Sequence, residues 1–301
     1  MASDWEDTFR SWSKPSSETE QEKCDNAERM IREAIAEHTC LSGRQVDVFA
    51  QGSYRNNTNV RADSDVDVCV RCRCSVFYGS DDPAFTPEAV GITVPAPYGY
   101  GQFRSDVEAA LVAKFARRGV TPGSKAFDIH ENSYRIDADA VPCFEYRHYY
   151  HDAYGAWHYL PGVNFLTTSG ESVVNWPEQH YENGKRKNSD TGNRFKYLTR
   201  VLKRLRNKME NDAISAAKPI PSFLIECLVW NVPDSEFGNN QYSDDLRNVL
   251  VSTFSATKCD ENCREWLEVS GRKYLFGGHQ RWTRAQANDF ILSAWRYVGF
   301  E

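Results

Sequence analysis

The sequence predicts an α+β fold in two parts: a mixed β-sheet with helices over residues 1–188, then a helical domain over 189–301. Three observations carry this expectation. Alternating, β-rich stretches are confined to the first half of the chain, and long helical periodicities fill the second. The length, 301 residues, suits two domains at roughly 150 residues each. Hydrophobic residues make up 41% and charged residues 26%, which is enough apolar material for a sizeable core.

Taken in order, 16–39 reads as a long helix. Ser16 or Ser17 can cap it, and Ala27, Met30, Ile31, Ala34 and Ile35 form an apolar stripe. Residues 45–50 are β-rich, and a Gly-Ser-Tyr turn follows at 52–54. Residues 65–73 alternate: Val66, Val68 and Val70 face one way, Asp65, Asp67 and Cys69 the other. The stretch 75–104, rich in Gly, Pro and Tyr, reads as a long loop. A helix is expected at 105–118, then strands at 134–141 and 143–150 broken by Pro142, then a loop-rich stretch to about 188. Helices are expected at 192–212, 221–231, 243–257 and 282–298.

Composition excludes some classes. No apolar run approaches the roughly 18 residues of a membrane span. The start, MASDWEDTFR, is acidic and lacks the regions of a secretory signal, so a cytoplasmic protein with no membrane partner is expected. Nine cysteines, an odd number on a long chain, read as reduced thiols. Cys69, Cys72 and Cys74, and the pair Cys259 and Cys263, have spacings open to zinc. The first group lies on a strand, where buried, inert thiols are the expectation.

A net charge of −6 argues against a surface built throughout for nucleic acid. The charge is uneven, however. Residues 185–208 hold ten Lys or Arg against Asp190 alone. Phe195, Leu198, Leu202, Leu205 and Met209 make a buried stripe there, with Lys196, Arg200 and Lys203 on an adjacent face. A phosphate-handling site fits this pattern, and so does a plain solvated face.

The sharpest signal is Gly52-Ser53-x4-Thr58-x5-Ser64-Asp65-Val66-Asp67. Residues i and i+2 of a strand share a face about 6.6 Å apart. Two carboxylates brought to 4 Å repel by about 4 kcal/mol at an effective dielectric near 20. A divalent cation between them removes that cost, and Mg²⁺ favours such oxygen ligands together with substrate phosphates. Gly52-Ser53 offers a tight turn whose N–H groups and hydroxyl can hold phosphate oxygens. A second alternating stretch, Ile136-Asp137-Ala138-Asp139-Ala140-Val141-Pro142, supplies a further acid, with Asp137 and Asp139 both available.

These motifs resemble the polymerase-β-like nucleotidyltransferases, within them the oligoadenylate synthase and cyclic GMP–AMP synthase group, and most of all the bacterial CD-NTases of anti-phage (CBASS) signalling. Gly52 to Val68 looks like their first motif. Asp139-Ala140-Val141-Pro142 looks like their third-aspartate motif, which makes Asp139 the catalytic acid and Asp137 its neighbour. Asn193-Arg194-Phe195-Lys196…Arg200…Lys203 is similar to the helix that carries the triphosphate-binding base. Pro221 to Glu226 is similar to a core helix start. The resemblance runs over about residues 20–260.

The resemblance implies a polymerase-β-like core, a C-terminal helical domain and an active-site cleft. It implies two Mg²⁺ ions, with Mn²⁺ as an alternative, on Asp65, Asp67 and Asp139, and a donor triphosphate on Gly52, Ser53, Lys196 and Lys203. ATP and GTP would be joined into a purine cyclic dinucleotide such as a cyclic GMP–AMP, which switches on an effector in a bacterial cytoplasm. Other readings on the same core are a tRNA-, drug- or protein-modifying nucleotidyltransferase and a non-catalytic nucleotide-binding module. Tyr98, Tyr100, Tyr154 and Trp157 are candidates to stack on a base. His148, His151 and His158 read as an exposed hairpin rather than a metal site. No zinc insertion or broad basic surface like that of the DNA-sensing relatives is seen, so no nucleic-acid activator is expected. The C-terminal tail, Tyr297 to Glu301, is open to ubiquitin-like conjugation or to an ordinary helix end. Asp65→Ala or Asp67→Ala is expected to abolish pyrophosphate release with ATP, GTP, CTP and UTP supplied together; undiminished turnover in either variant removes the acid-pair mechanism.

Overall fold

The computed structural model describes residues 5–60, 65–96, 98–278 and 280–300. The chain divides into a sheet unit, Ser17–Tyr54 with Ser64–Pro177, and a helical unit, Met1–Ser16 with Arg55–Asp63 and Glu178–Glu301. The helical unit thus begins at Glu178 rather than at 189. It also takes in the N-terminal segment and the middle of the first motif, both assigned to the core on sequence.

The sheet unit opens on α2 (Glu18–Glu37), which follows the short α1 (Trp5–Trp12) of the helical unit. Ser17 caps α2 by accepting a hydrogen bond from the Glu20 N–H at 3.3 Å. β1 (Val46–Ala50) leads through a helical turn, α3 (Gly52–Arg55), toward β2 (Val66–Ser80). The central pair is β2 with β5 (Ala138–His151), which run parallel. β1 pairs antiparallel with β2 on the outer side. The far edge of β5 is shared by β4 (Phe127–Ile129), followed by β3 (Val120–Pro122), and by β6 (Trp157–Leu166), followed by β7 (Ser172–Asn175). Burial sets the faces. Val66, Val68, Val70, Ala138, Ala140 and Phe144 join a core with Ala27, Ile31 and Ile35 of α2 and Phe103, Val107 and Leu111 of α4 (Tyr100–Phe115). The alternate positions on β2 and β5, Asp67 and Asp139 among them, therefore look away from α2 and α4.

Three sequence expectations are corrected in this unit. Residues 75–104 are not one loop: β2 continues to Ser80 and α4 starts at Tyr100. Gly79, which read as loop punctuation, is needed in the strand because a Cβ there would lie 2.4 Å from the Tyr146 hydroxyl. Pro142 does not break β5, since it falls between Ala140, the last residue paired with β4, and Phe144, the first paired with β6. The ladder on that edge asks for no N–H there. The stretch before 188 is not loop-rich but holds β6, β7 and α5 (Pro177–Asp190). Only His180 and Gly184 of α5 are buried, so it carries no apolar stripe to read. Gly162 lets β6 pass the Trp176 ring, which a Cβ would approach to 2.9 Å.

The helical unit packs α1 and α5 with α6 (Arg194–Asn211), α7 (Ser222–Asn231), α8 (Tyr242–Thr257), α9 (Asp260–Cys263) and α10 (Arg284–Val298). The expected stripe of α6, Phe195 to Met209, is fully buried, and it meets Leu224, Leu228, Val249, Leu250, Phe290 and Ile291. Phe9 of α1 is buried in the same core. Thr283 and Gln286 form a capping box at the start of α10, which fixes where that helix begins. All nine cysteines are free thiols, with Cys69 and Cys72 buried and Cys74 exposed. Among the described residues no helix is long and apolar enough to cross a membrane.

Candidate active site

The acids are gathered by strand register. In the parallel β2–β5 pair Asp67 stands opposite Asp139. In the antiparallel β4–β5 pair Asp139 stands opposite Asp128. Asp65 immediately precedes β2 and is exposed, while Asp67 and Asp139 are half-buried. Asp137 precedes β5, and its carboxylate accepts a hydrogen bond from the Glu131 N–H, which ties it to its own loop. The structure thus brings Asp65, Asp67 and Asp139 together. Ser64 of the first motif lies outside the described residues.

Crowding of like charge shows in the protonation preferences. Burial first, then the charges of Asp139 and Asp65, push the Asp67 carboxyl up to about 7. Burial, Asp65 and Asp128 raise Asp139, and burial, Asp137 and Asp128 raise Asp65. A set of oxygen-only, mutually repelling carboxylates fits a hard divalent cation. Among the described residues no three His, Cys, Asp or Glu side chains already converge into a metal centre.

The turn before the acids is fitted to them. Gly52 has φ +65°, and a Cβ there would lie 2.2 Å from Asp67 Oδ2. Only glycine lets the turn and the carboxylate sit this close. The Gln51 N–H donates to the Asp67 carbonyl at 2.8 Å. Tyr54 is buried, and its hydroxyl donates to Asp25 of α2, which holds the turn and the half-buried Ser53 against that helix.

The motif's next residue, Thr58, does something else. It is fully buried within the helical unit, and its hydroxyl donates to Glu226 Oε2 at 2.6 Å. Lys203 donates to the Thr58 carbonyl at 3.0 Å and to the same Glu226 oxygen at 3.0 Å. His180 Nε2 lies 2.8 Å from Glu226 Oε1. Burial alone would raise the Glu226 carboxyl, but Lys203, His180 and Thr58 hold it far below the glutamate range. This corrects the reading of Lys203: its ammonium, 2% exposed, is committed to Glu226 and Thr58 and is not a triphosphate ligand.

The basic run around it is mostly structural too. Arg194 pairs with Asp245 at 3.3 Å, and Arg206 pairs with Glu210 at 3.1 Å. Arg200, itself buried, donates to the carbonyls of Ser13 and Asn57, and Arg204 to those of Ser11 and Trp12. Lys196 differs. It is half-buried, and among the described residues nothing pairs with its ammonium. Burial, with Arg200 and Lys185 near, holds it below the usual lysine range against the pull of Glu226.

Two of the stacking candidates are core residues. Tyr98 is buried with its hydroxyl on Asp106, and Tyr100 is buried with its hydroxyl donating to the Pro142 carbonyl at 2.9 Å. Tyr154 is exposed, and Trp157 packs on His151 and Phe85. His148, His151 and His158 each face an aspartate: Asp81, Asp82 and Asp152. Sequence reasoning missed Asp128. Its signal was the short alternation Phe127-Asp128-Ile129, too brief to read as a strand.

Comparison with known proteins names the class. Residues 182–299 match the model of the cGAS/DncV-like nucleotidyltransferase C-terminal helical domain. A cyclic dipyrimidine nucleotide synthase, CdnE of Legionella pneumophila, is 47% identical, with 99% of each chain covered. A cyclic dipurine nucleotide synthase of Elizabethkingia meningoseptica is 33% identical over 96% of this chain and 97% of its own. The solved Rhodothermus marinus CdnE c-UMP-AMP synthase, with Apcpp and Upnpp, superposes with TM-score 0.84 at 29% identity, covering 98% of this chain and 97% of its own. Sheet and helical unit are therefore those of a nucleotidyltransferase. The chain belongs to the CD-NTase family and is a cyclic nucleotide synthase.

Two outcomes follow from this geometry. Gly52→Ala should displace the Asp67 carboxylate and cut pyrophosphate release at least about tenfold, while the circular dichroism spectrum stays that of the parent; an unimpaired rate would show that the close approach is unimportant. Glu226 has a depressed folded pKa, so its contribution is present above the unfolded value near 4.3 and is lost as pH falls below that toward the folded value. Melting temperature should accordingly drop on acidification through that range. Glu226→Gln, which breaks a buried pair at a cost of about 3–5 kcal/mol, should melt lower at neutral pH and with a flatter acid limb.

Proposed function

We propose that the chain joins nucleoside triphosphates into a cyclic dinucleotide containing a pyrimidine, using divalent cations held by Asp65, Asp67 and Asp139. The observation that carries the base assignment is the 47% identity, over nearly the full length of both chains, to a relative named for dipyrimidine products, against 33% to one named for dipurine products. This departs from the purine product expected on sequence. The metal assignment is supported by the register that sets Asp67 opposite Asp139 and by the raised protonation preference of all three acids.

When bound, Mg²⁺ supplies charge that lowers the pKa of an acceptor ribose hydroxyl and stabilises the leaving pyrophosphate. The side chains do the rest. On this reading Asp65, Asp67 and Asp139 are the residues that would hold the ions, and Asp139 would also take the proton of the acceptor hydroxyl. Ser53 and the turn N–H groups beside it bind phosphate oxygens. Lys196, a half-buried cation without a partner among the described residues, neutralises the triphosphate tail. A second transfer, with the linear intermediate turned over, closes the ring. The product is the signal read by a downstream effector.

One mass spectrum of the product made with Mg²⁺ from an equal mixture of ATP, GTP, CTP and UTP tests the reading. A cyclic dinucleotide containing at least one uridine or cytidine is expected. An all-purine ring would overturn the base assignment alone, and linear or no product would overturn the cyclisation.

A further inference from the structure

A fourth carboxylate stands in the acid row. Phe127 and Ile129 of β4 are buried, so Asp128 between them projects from the opposite face. Its neighbours there are set by pairing: Phe127 stands opposite Ala140, Asp128 opposite Asp139, and Ile129 opposite Ala138. Because Asp139 stands opposite Asp67 on its other side, Asp128, Asp139 and Asp67 form one line across β4, β5 and β2. Directly opposed side chains in a sheet have Cβ atoms about 4.5–5.5 Å apart, and like charges so placed destabilise it.

Asp128 has little to offset that repulsion. Among the described residues no Lys or Arg pairs with it. The nearest base is His130, whose Nε2 lies 3.8 Å from Asp128 Oδ2 and 2.8 Å from the Thr121 hydroxyl. The Asp128 charge is also felt at both Asp139 and Asp65. A surface acid needs no partner, but an acid set opposite another in a ladder lowers stability until a cation joins the row.

We propose that Asp128 is a positioning residue of the cation site, adding negative charge on the Asp139 side so that divalent ions bind more tightly there. This rests on the reading of Asp65, Asp67 and Asp139 as cation ligands. It assigns β4 a part in the reaction beyond joining β3 to β5.

The test measures Mn²⁺ binding by electron paramagnetic resonance of the free ion, on the full chain with a non-hydrolysable nucleoside triphosphate. The parent, Asp128→Asn, Asp128→Ser, Asp128→Glu and Asp139→Asn are compared, and each is also melted without metal. Asp128→Asn and Asp128→Ser should weaken Mn²⁺ binding roughly five- to twentyfold and raise the metal-free melting temperature, since a repulsion is gone. Asp128→Glu should restore near-parental binding. Parental Mn²⁺ affinity in both neutral variants overturns the proposal, as does weaker binding together with a lower metal-free melting temperature, the signature of a structural role. If the parent binds no Mn²⁺, or Asp139→Asn binds it as the parent does, the three-acid reading fails first and the proposal with it.

Discussion

Parallel pairing of β2 with β5 is the constraint on which the site depends. It sets Asp67 and Asp139 side by side, an arrangement that electrostatics opposes. The opposing force is hydrophobic. Val66, Val68, Ala138 and Ala140 alternate with the acids and are almost wholly buried beneath α2 and α4. A one-residue slip of either strand would send its acid into that core and its apolar side chains out, so the register is held by everything packed under the sheet. The same logic explains Gly52, whose missing side chain is the space the Asp67 carboxylate occupies.

The helical unit solves a different electrostatic problem. Its basic run lies on a helix whose other face is core, and most of those cations are neutralised locally. Buried Lys203 and Arg200 do not lie loose in the interior: one meets Glu226 and Thr58, the other the carbonyls of Ser13 and Asn57. A buried charge is tolerated only when paired or hydrogen-bonded, and here these bonds fasten residues 55–60 and the N-terminal segment to α6. Lys196 is a half-buried cation of this run with no partner among the described residues.

Much of this could be read from the chain itself. The Asp-x-Asp alternation, the third acid before Pro142 and the stripes of α2 and α6 are local patterns, and local patterns survive in sequence. What could not be read depended on partners far along the chain. Gly79 fell in a stretch read as loop because the ring that needs the space, Tyr146, is brought near only by pairing. Lys203 looked like a free base on a helix face because Glu226 and Thr58 meet it only after folding. Asp128 sat in a strand of three residues, too short for periodicity to register. Base choice was not legible either, since aromatic residues named by composition proved in two cases to be core.

The order in which the pieces of the helical unit are made bears on biosynthesis. The helical unit is assembled from three separate stretches, so its first helix and its middle segment emerge from the ribosome long before α6, α7 and α10 exist to receive them. Phe9, Thr58 and their neighbours must therefore stay uncommitted while the sheet strands form. The carbonyl that Lys203 grips and the hydroxyl that Glu226 accepts find their partners only once α6 and α7 have been made. Burial of this polar cluster therefore comes after the sheet strands have been synthesised.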